Sequence, residues 1–508
     1  MQSTPSPLRP KVLLLGAAGL IAAIAVSASP EVLPEGLTPI GVRTLGCAWI
    51  MAVWWIGSGL SLAIPALIPL ALFPVLGIAD SAAVAAPYAH KMVILLLCGF
   101  LLAQAVERWD LHRRLALQVL VRIGRSGWAV TAGVMAVTAI LSMWISNTAT
   151  VLMMLPIVQA LVLAARTQNP GSPNNDAFGR SLLLGLAYSA SVGGTMTPVG
   201  TPPNLLFQAT YAESFPDAPE IGFATWMEMA IPAAFTLLIL IWFALNRGLI
   251  KVPRSYMVGH ASLLRDQLSG LGPWTRAQRR VGIGFAITCL LWVLRVPLTV
   301  KPGNEPFAFL ESFGFPTAAQ WGLPAAVHDS TIAAFMVIIF FLVPSGMTRS
   351  DSPRRLLDWR IAKNVPWDLL LLFGGGIALS VGFKTSGLTT WLAAQLAVLT
   401  TLPVPLMIVS LCLFVTFLTE VTSNTATTAL LLPVLAATAT ATGVDPLLLM
   451  VPATLSASCA FMLPVATAPN AIVLGSGDLD ANQMLRTGLL LNVMGVIPIT
   501  LAVLWWAS

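Results

Sequence analysis

Two short polar strings, Ser146-Asn147-Thr148-Ala149-Thr150 and Ser423-Asn424-Thr425-Ala426-Thr427, sit in the middle of long apolar stretches. Where such a string forms the tip of a helical hairpin, the first N–H groups of the returning helix have no partner, and with the helix dipole they attract an anion. Carbonyls ending the incoming helix suit a small cation. Each tip can thus hold a cation on its oxygens beside a carboxylate on its amide and hydroxyl donors, without any fixed charge. One helical turn ahead of each string stands a hydroxyl, Ser142 in one case and Thr419 in the other. A single Ser or Thr in a membrane helix ordinarily bonds back to its own i−4 carbonyl, but recurrence in register points to a role at the tip. Glu420 is the only acid next to a motif. It fits either an intramembrane functional acid or an acid held by a local hydroxyl near the hairpin end.

A second pair of motifs follows, Pro198-Val199-Gly200-Thr201-Pro202-Pro203-Asn204 and Pro464-Val465-Ala466-Thr467-Ala468-Pro469-Asn470. Prolines cannot continue a helix, and Gly200 relaxes the backbone further. The spans carrying them must unwind midway, exposing carbonyls around Ala466 and the side chains of Thr467 and Asn470. Two tips and two unwound loops make two half-sites. None of the four motifs contains Lys, Arg or His, so a bound dianion needs cations beside it. Sodium at the tips would neutralise the anion and couple its movement to a gradient, which favours symport over uniport.

The elements that position these motifs follow from composition. Of 508 residues, 57% are apolar and 9% charged, and the mean hydropathy is +0.84. Apolar runs of about 18 residues or more recur along the chain, each able to cross a hydrocarbon core roughly 30 Å thick. They lack the alternation of a membrane barrel, so the fold class is all-α and polytopic. Spans are expected near 11–29, 44–60, 62–79, 89–107, 183–209, 224–246, 281–300, 330–346, 366–385, 447–475 and 485–506. The stretches 128–166 and 404–442, with the Ser-Asn-Thr strings at their centres, are expected to be re-entrant hairpins. The segment 107–125 reads as an amphipathic surface helix or a solvated linker helix. The first run has a basic flank but no small-residue cleavage site, and is read as a retained span.

The motifs repeat in order. Ser146–Thr150 recurs 277 residues later, with Gly99, Leu102, Leu111 and Pro156 returning as Gly376, Leu379, Leu388 and Pro433; the proline-rich motif recurs at an offset of 266. A duplicated half-protein with an odd number of spans is inverted in the membrane. The expected organisation is a first span and loop over 1–40, one repeat over 41–250, a cytoplasmic connection over 251–280 and the second repeat over 281–508, giving about 11 transmembrane helices, two hairpins and two broken helices at the midplane.

The formal charge of +6 implies no nucleic-acid partner, because the basic residues cluster in three connections (108–125, 247–280 and 349–363). These are expected to be cytoplasmic, together with the N-terminus. Five cysteines lie singly in apolar runs, without the spacing of a disulfide framework or zinc site. The four histidines form no HExxH, and there is no GxSxG. No enzyme and no enzymatic cofactor are expected. Duplicated hairpins suit alternating access better than a channel.

At these residues the sequence resembles the divalent anion/sodium symporter family over nearly its whole length. The resemblance rests on both Ser-Asn-Thr strings, both proline loops, Trp109-Asp110-Leu111-His112-Arg113-Arg114, Trp367-Asp368-Leu369-Leu370, and the run Ser458–Val473. It implies a homodimer in the inner (plasma) membrane with a static scaffold and an elevator-like transport part. It also implies sodium as coupling ion, held by Ser142, Ser146, Asn147 and the backbone of Gly200 in one half and by Thr419, Ser423, Asn424 and the backbone of Ala466 in the other. Substrate carboxylates would meet Asn147, Thr148, Thr201, Asn424, Thr425 and Thr467. Ala468 departs from the pattern, standing where the first loop has Pro202. Two intact strings suit two carboxylates, so a C4-dicarboxylate such as succinate, malate or fumarate leads. A sodium-independent exchanger and a citrate or sulfate carrier are the alternatives.

Overall fold

The computed structural model describes residues 8–259, 261–295, 327–347, 354–396 and 402–507. Among these the secondary structure is helical, apart from two isolated bridges, Ser126–Met257 and Pro344–Arg355. Ten helices are long and apolar enough to cross a membrane. In lipid a backbone must satisfy itself within each segment, and apolar sequence of this length leaves helix as the economical solution.

Helices α1 (Pro10–Ser27) and α2 (Pro39–Gly57) pack on each other, and most of α1 is exposed to surroundings that its apolar surface requires to be lipid. Thr38 starts α2 by accepting from Gly41 N. The 62–79 stretch, expected as one span, forms two short helices instead, Ala63–Ala66 and Ile68–Leu72. Pro65, Pro69 and Pro74 lack the N–H groups that a continuous helix would use.

Then come α3 (Lys91–Arg108) and α4 (Leu111–Leu120), followed by the first hairpin of α5 (Gly127–Ser142) and α6 (Asn147–Gln168). The segment expected at the surface, α4, is embedded on one side. Leu111, Leu117 and Leu120 are buried and Leu115 and Val119 exposed; Arg114 is buried and donates to the carbonyls of Leu271 and Gly272. The 183–209 stretch divides into α7 (Asn174–Gly194) and α8 (Pro202–Ser214), unwound between them as its prolines dictate. Next are α9 (Phe223–Phe243), α10 (Arg276–Leu294) and α11 (Asp329–Leu342). The connection before α10 holds a ten-residue helix, Ala261–Gly270, that was not anticipated. The end of the span expected at 281–300 lies outside the described residues.

The second half repeats this order with α12 (Trp367–Thr385), α13 (Leu388–Leu396), the hairpin α14 (Val404–Val421) and α15 (Asn424–Thr442), the broken pair α16 (Pro446–Ala457) and α17 (Ala468–Leu474), and α18 (Ala481–Ala507). The first residues of α4, α5 and α6 recur 277 positions later as those of α13, α14 and α15, and that of α8 recurs 266 later as that of α17. Helix α13 went unrecognised in the sequence although Leu111 and Leu388 already shared the register. The halves interlace: α8 packs on α15 of the other half, and α17 on α6. Each broken helix therefore joins both hairpins, and the two unwound loops are brought to one place.

Buried Cys47 on α2 lies far in sequence from every motif and has no disulfide partner. Cys47→Ser is expected to leave the transport rate within about twofold of the parent, because it exchanges one small buried side chain for another; a reconstituted uptake assay checks this.

Outside the spans, Glu220 gathers three helix ends. It lies 3.3 Å from Lys91 Nζ, 3.5 Å from Arg295 Nη1 and 3.3 Å from His328 Nε2. His328, then Arg295 and Lys91, hold its carboxyl well below the ordinary carboxylate range. A depressed carboxyl contributes stability that is fully present above its unfolded value, about 4.3, and is lost as pH falls through the folded one. Glu220→Gln is expected to lower the melting temperature by about 2–4 °C at pH 7. Thermal unfolding repeated at about pH 3 should show a smaller gap between variant and parent.

Candidate functional site

The hairpin turns are tight. Between α5 and α6 lie residues 143–146, and between α14 and α15 only Thr422 and Ser423. Ser146 Oγ accepts from Ala149 N at 3.2 Å, which caps α6, whereas Ser423 makes no such side-chain cap. The first intrahelical bonds run from Thr150 N to Ser146 O and from Thr427 N to Ser423 O. The N–H groups of Asn147 and Thr148 in the first tip, and of Asn424, Thr425 and Ala426 in the second, have no intrahelical partner and point out of the tip along the helix axis.

Both hydroxyls singled out one turn earlier reach the tips. Ser142 Oγ donates to Asn147 Oδ1 at 2.5 Å, lying also 2.7 Å from Ala190 O. Thr419 Oγ1 lies 2.8 Å from Asn424 Oδ1 and 2.9 Å from Ala457 O. Each hydroxyl thus ties a hairpin asparagine to the last turn of the broken helix beside it, and neither bonds to its own i−4 carbonyl. Oxygens from tip and loop converge in the first half. A Cβ added to Gly194 would stand 2.5 Å from Asn147 Oδ1 and 3.1 Å from Gly200 O, and one on Gly200 would stand 3.0 Å from Met143 O. Such a cluster of neutral oxygens suits a hard cation such as sodium.

The unwound loops are clamped alike. Asn204 Nδ2 donates to the carbonyls of Gly194, Thr195 and Thr197 at 3.1, 3.2 and 2.7 Å. Asn470 Nδ2 donates to those of Ala460 and Leu463 at 3.0 and 3.1 Å. Residues 194 and 460, 197 and 463, and 204 and 470 are all 266 apart. Broken helices leave orphan carbonyls that would be costly at membrane depth, and one asparagine in each half collects them. Asn204 was quoted in the sequence motif without a role; the repeated pairing of an invariant offset with a proline-broken helix was the signal.

Tips and loops border an open cavity of about 400 Å³, within the range of about 300–1,000 Å³ typical of small-molecule sites. Ser146, Asn147, Thr148, Gly200 and Thr201 line it from one half and Ser423, Asn424, Thr425, Ala466 and Thr467 from the other. Ser142 and Thr419, fully buried, stand behind the two asparagines. All twelve residues anticipated from sequence and resemblance are thereby gathered. Leu96, Phe100, Trp144 and Leu369 supply apolar walls, and no charged side chain lines the cavity among the described residues. Asp, Glu, His and Cys form no cluster able to hold a metal ion among those residues.

Paired helical hairpins and interlaced broken helices around one uncharged cavity define a membrane transporter. The chain resembles solved structures of that class across nearly its full length. The YdaH transporter of Alcanivorax borkumensis aligns with a TM-score of 0.57 at 15% identity, covering 97% of this chain and 98% of that one. MtrF of Neisseria gonorrhoeae aligns with a TM-score of 0.56 at 14% identity, covering 100% and 96%. In sequence, the chain matches the sodium:sulfate symporter transmembrane region over residues 15–508, and it belongs to that family. The sodium-dependent dicarboxylate transporter SdcS of Staphylococcus saprophyticus is 36% identical over 473 residues, 92% of this chain and 87% of the relative. The SdcS of Staphylococcus aureus is 38% identical, over 92% and 86%. These comparisons bear out the family recognised from the motifs, and a carrier rather than an enzyme.

Proposed function

We propose that this protein imports a C4-dicarboxylate such as succinate, malate or fumarate, driven by sodium. The observation that carries the reading is the matched pair of uncharged tips. Each offers free helix N-terminal amides to a carboxylate, and each has an asparagine amide oxygen backed by a buried hydroxyl for a cation. A dianion in a cavity lacking fixed charge would be expelled by its desolvation cost. Cations bound in the two tips remove that cost, so substrate and sodium bind together or weakly. The names of the two staphylococcal relatives agree with sodium and a dicarboxylate.

The residues take these roles. Asn147 and Asn424 turn their Oδ1 atoms to the cations and their amide nitrogens to the carboxylates. Thr148, Thr201, Thr425 and Thr467 add hydroxyl donors. Ser142, Ser146 and the Gly200 carbonyl complete one cation site; Thr419, Ser423 and the Ala466 carbonyl complete the other. The substrate bridges the two halves, whose inverted arrangement gives the site near-twofold symmetry. Hairpins and broken helices form a transport part that moves as an elevator against a scaffold drawn from both repeats. Two copies of the chain pair through their scaffolds in the inner membrane, with the N-terminus cytoplasmic.

Competition tests the substrate class. Unlabelled succinate, malate and fumarate should each suppress sodium-driven uptake of labelled succinate in proteoliposomes, with sulfate and citrate at the same concentration having at least about tenfold less effect. Sulfate competing best would instead make this a sulfate carrier.

A further inference from the structure

The acid beside the second tip has no place in the site as described, yet it is buried and fully engaged. Glu420 Oε1 accepts from Met462 N at 2.8 Å and Asn492 Nδ2 at 2.7 Å, and Oε2 accepts from Leu463 N at 2.8 Å. Asn492 Oδ1 accepts from Phe461 N at 3.2 Å. Three consecutive amides of the second unwound loop are therefore held by a carboxylate–amide pair reaching from α14 and α18. Both carboxylate oxygens act as acceptors, the pattern made by an ionised acid.

The first half builds the same latch from neutral parts. Position 420 lies 277 after Met143, whose carbonyl accepts from Thr197 Oγ1, and Leu463 lies 266 after Thr197. Asn492 lies 266 after Trp226, whose Nε1 donates to Thr195 O at 2.9 Å. The same positions thus hold the unwound loop in both halves, one from the hairpin and one from the helix that follows the broken pair, but only the second half carries a charge. From Gly127 to Thr201 the sole acid is Asp176, at the far end of α7.

No cationic side chain among the described residues pairs with Glu420. Amide donors soften a buried charge without neutralising it, and at membrane depth the remainder calls for a counter-ion. Thr419, the adjacent residue, holds the asparagine of the second cation site. We infer that Glu420 is a positioning residue for the second cation. It fixes the loop that presents the Ala466 carbonyl, and its charge raises the sodium affinity of that half-site above that of the first.

The inference rests on the sodium-coupled reading above, and its test separates the two. Labelled-succinate uptake into proteoliposomes is titrated with sodium for the parent, Glu420→Gln, Glu420→Asp and Asn492→Leu. Glu420→Gln should raise the sodium concentration for half-maximal uptake by about tenfold or more, with the rate at saturating sodium largely recovered. Glu420→Asp, keeping the charge, should restore the midpoint to within about threefold. Asn492→Leu removes two latch hydrogen bonds and leaves the charge, so it should move the midpoint much less than Glu420→Gln, and it decides the matter if that variant does not fold. An unmoved midpoint in Glu420→Gln, or equal shifts in the charged and uncharged variants, overturns the inference alone. Uptake by the parent that ignores sodium overturns it together with the symport reading.

Discussion

Asn147→Ala and Asn424→Ala are each expected to reduce dicarboxylate uptake by at least about 100-fold while the protein remains folded. Each asparagine stands where three demands meet: it begins a returning helix, its Oδ1 receives the hydroxyl of Ser142 or Thr419, and its side chain lines the cavity. Truncation removes a cation ligand and a substrate donor together. Hydrogen bonds to charged groups are worth about 1.5–3 kcal/mol each, so losing two gives about 3–6 kcal/mol, or more than about 100-fold in binding. Helix α6 keeps its Ser146 cap, and α15 never had a side-chain cap to lose, so the hairpins should survive. Initial uptake rates, read beside a size-exclusion profile of the purified variant, check both halves of the expectation. Near-parental uptake in both variants would remove the tips from the site.

Gly488→Ala, far from any motif, should be almost as damaging. A Cβ there would stand 2.5 Å from Met462 N and closer still to the carbonyl carbon and oxygen of Phe461. These are backbone atoms of the second unwound loop, already held by Glu420, Asn492 and Tyr188, so the clash cannot be relieved by a rotamer change. Overpacking commonly costs about 1–3 kcal/mol. Here the strain falls on a loop that must hold its carbonyls to a fraction of an ångström, and uptake should fall by about 50-fold or more. The substitution should also raise the succinate concentration for half-maximal uptake, since Thr467 belongs to the same loop. A variant transporting like the parent would mean that the loop tolerates displacement.

The architecture was legible because membrane depth makes polar residues conspicuous. A five-residue polar string inside an apolar run admits few explanations, and its repetition 277 residues on admits fewer. The proline loops were equally readable, since the ring forbids a continuous helix whatever surrounds it. What the sequence hid was the supporting layer. Gly488 and Asn492 lie on an apolar helix, α18, with no local mark of the loop that packs there. Thr197 looked like any hydroxyl beside a proline. Of the two readings left open for Glu420, the local hydroxyl partner is not what holds it: its hydrogen-bond partners are amides more than forty residues away, a pairing that local sequence does not encode. The 62–79 stretch was misjudged because hydropathy counts apolar residues without weighing three prolines among them. Helix α13 is hard to see in the sequence because a nine-residue element is marked more by its register with α4 than by its own pattern.

Sodium dependence is the centre of the account. The decisive measurement is uptake of radiolabelled succinate into proteoliposomes that contain no internal dicarboxylate, under an inward sodium gradient and, in parallel, an inward potassium gradient. Two uncharged tips built for cations predict accumulation above equilibrium with sodium and almost none with potassium. Uptake that is the same in both would contradict symport and make the protein a uniporter, and uptake that appears only after the vesicles are preloaded with dicarboxylate would make it an exchanger.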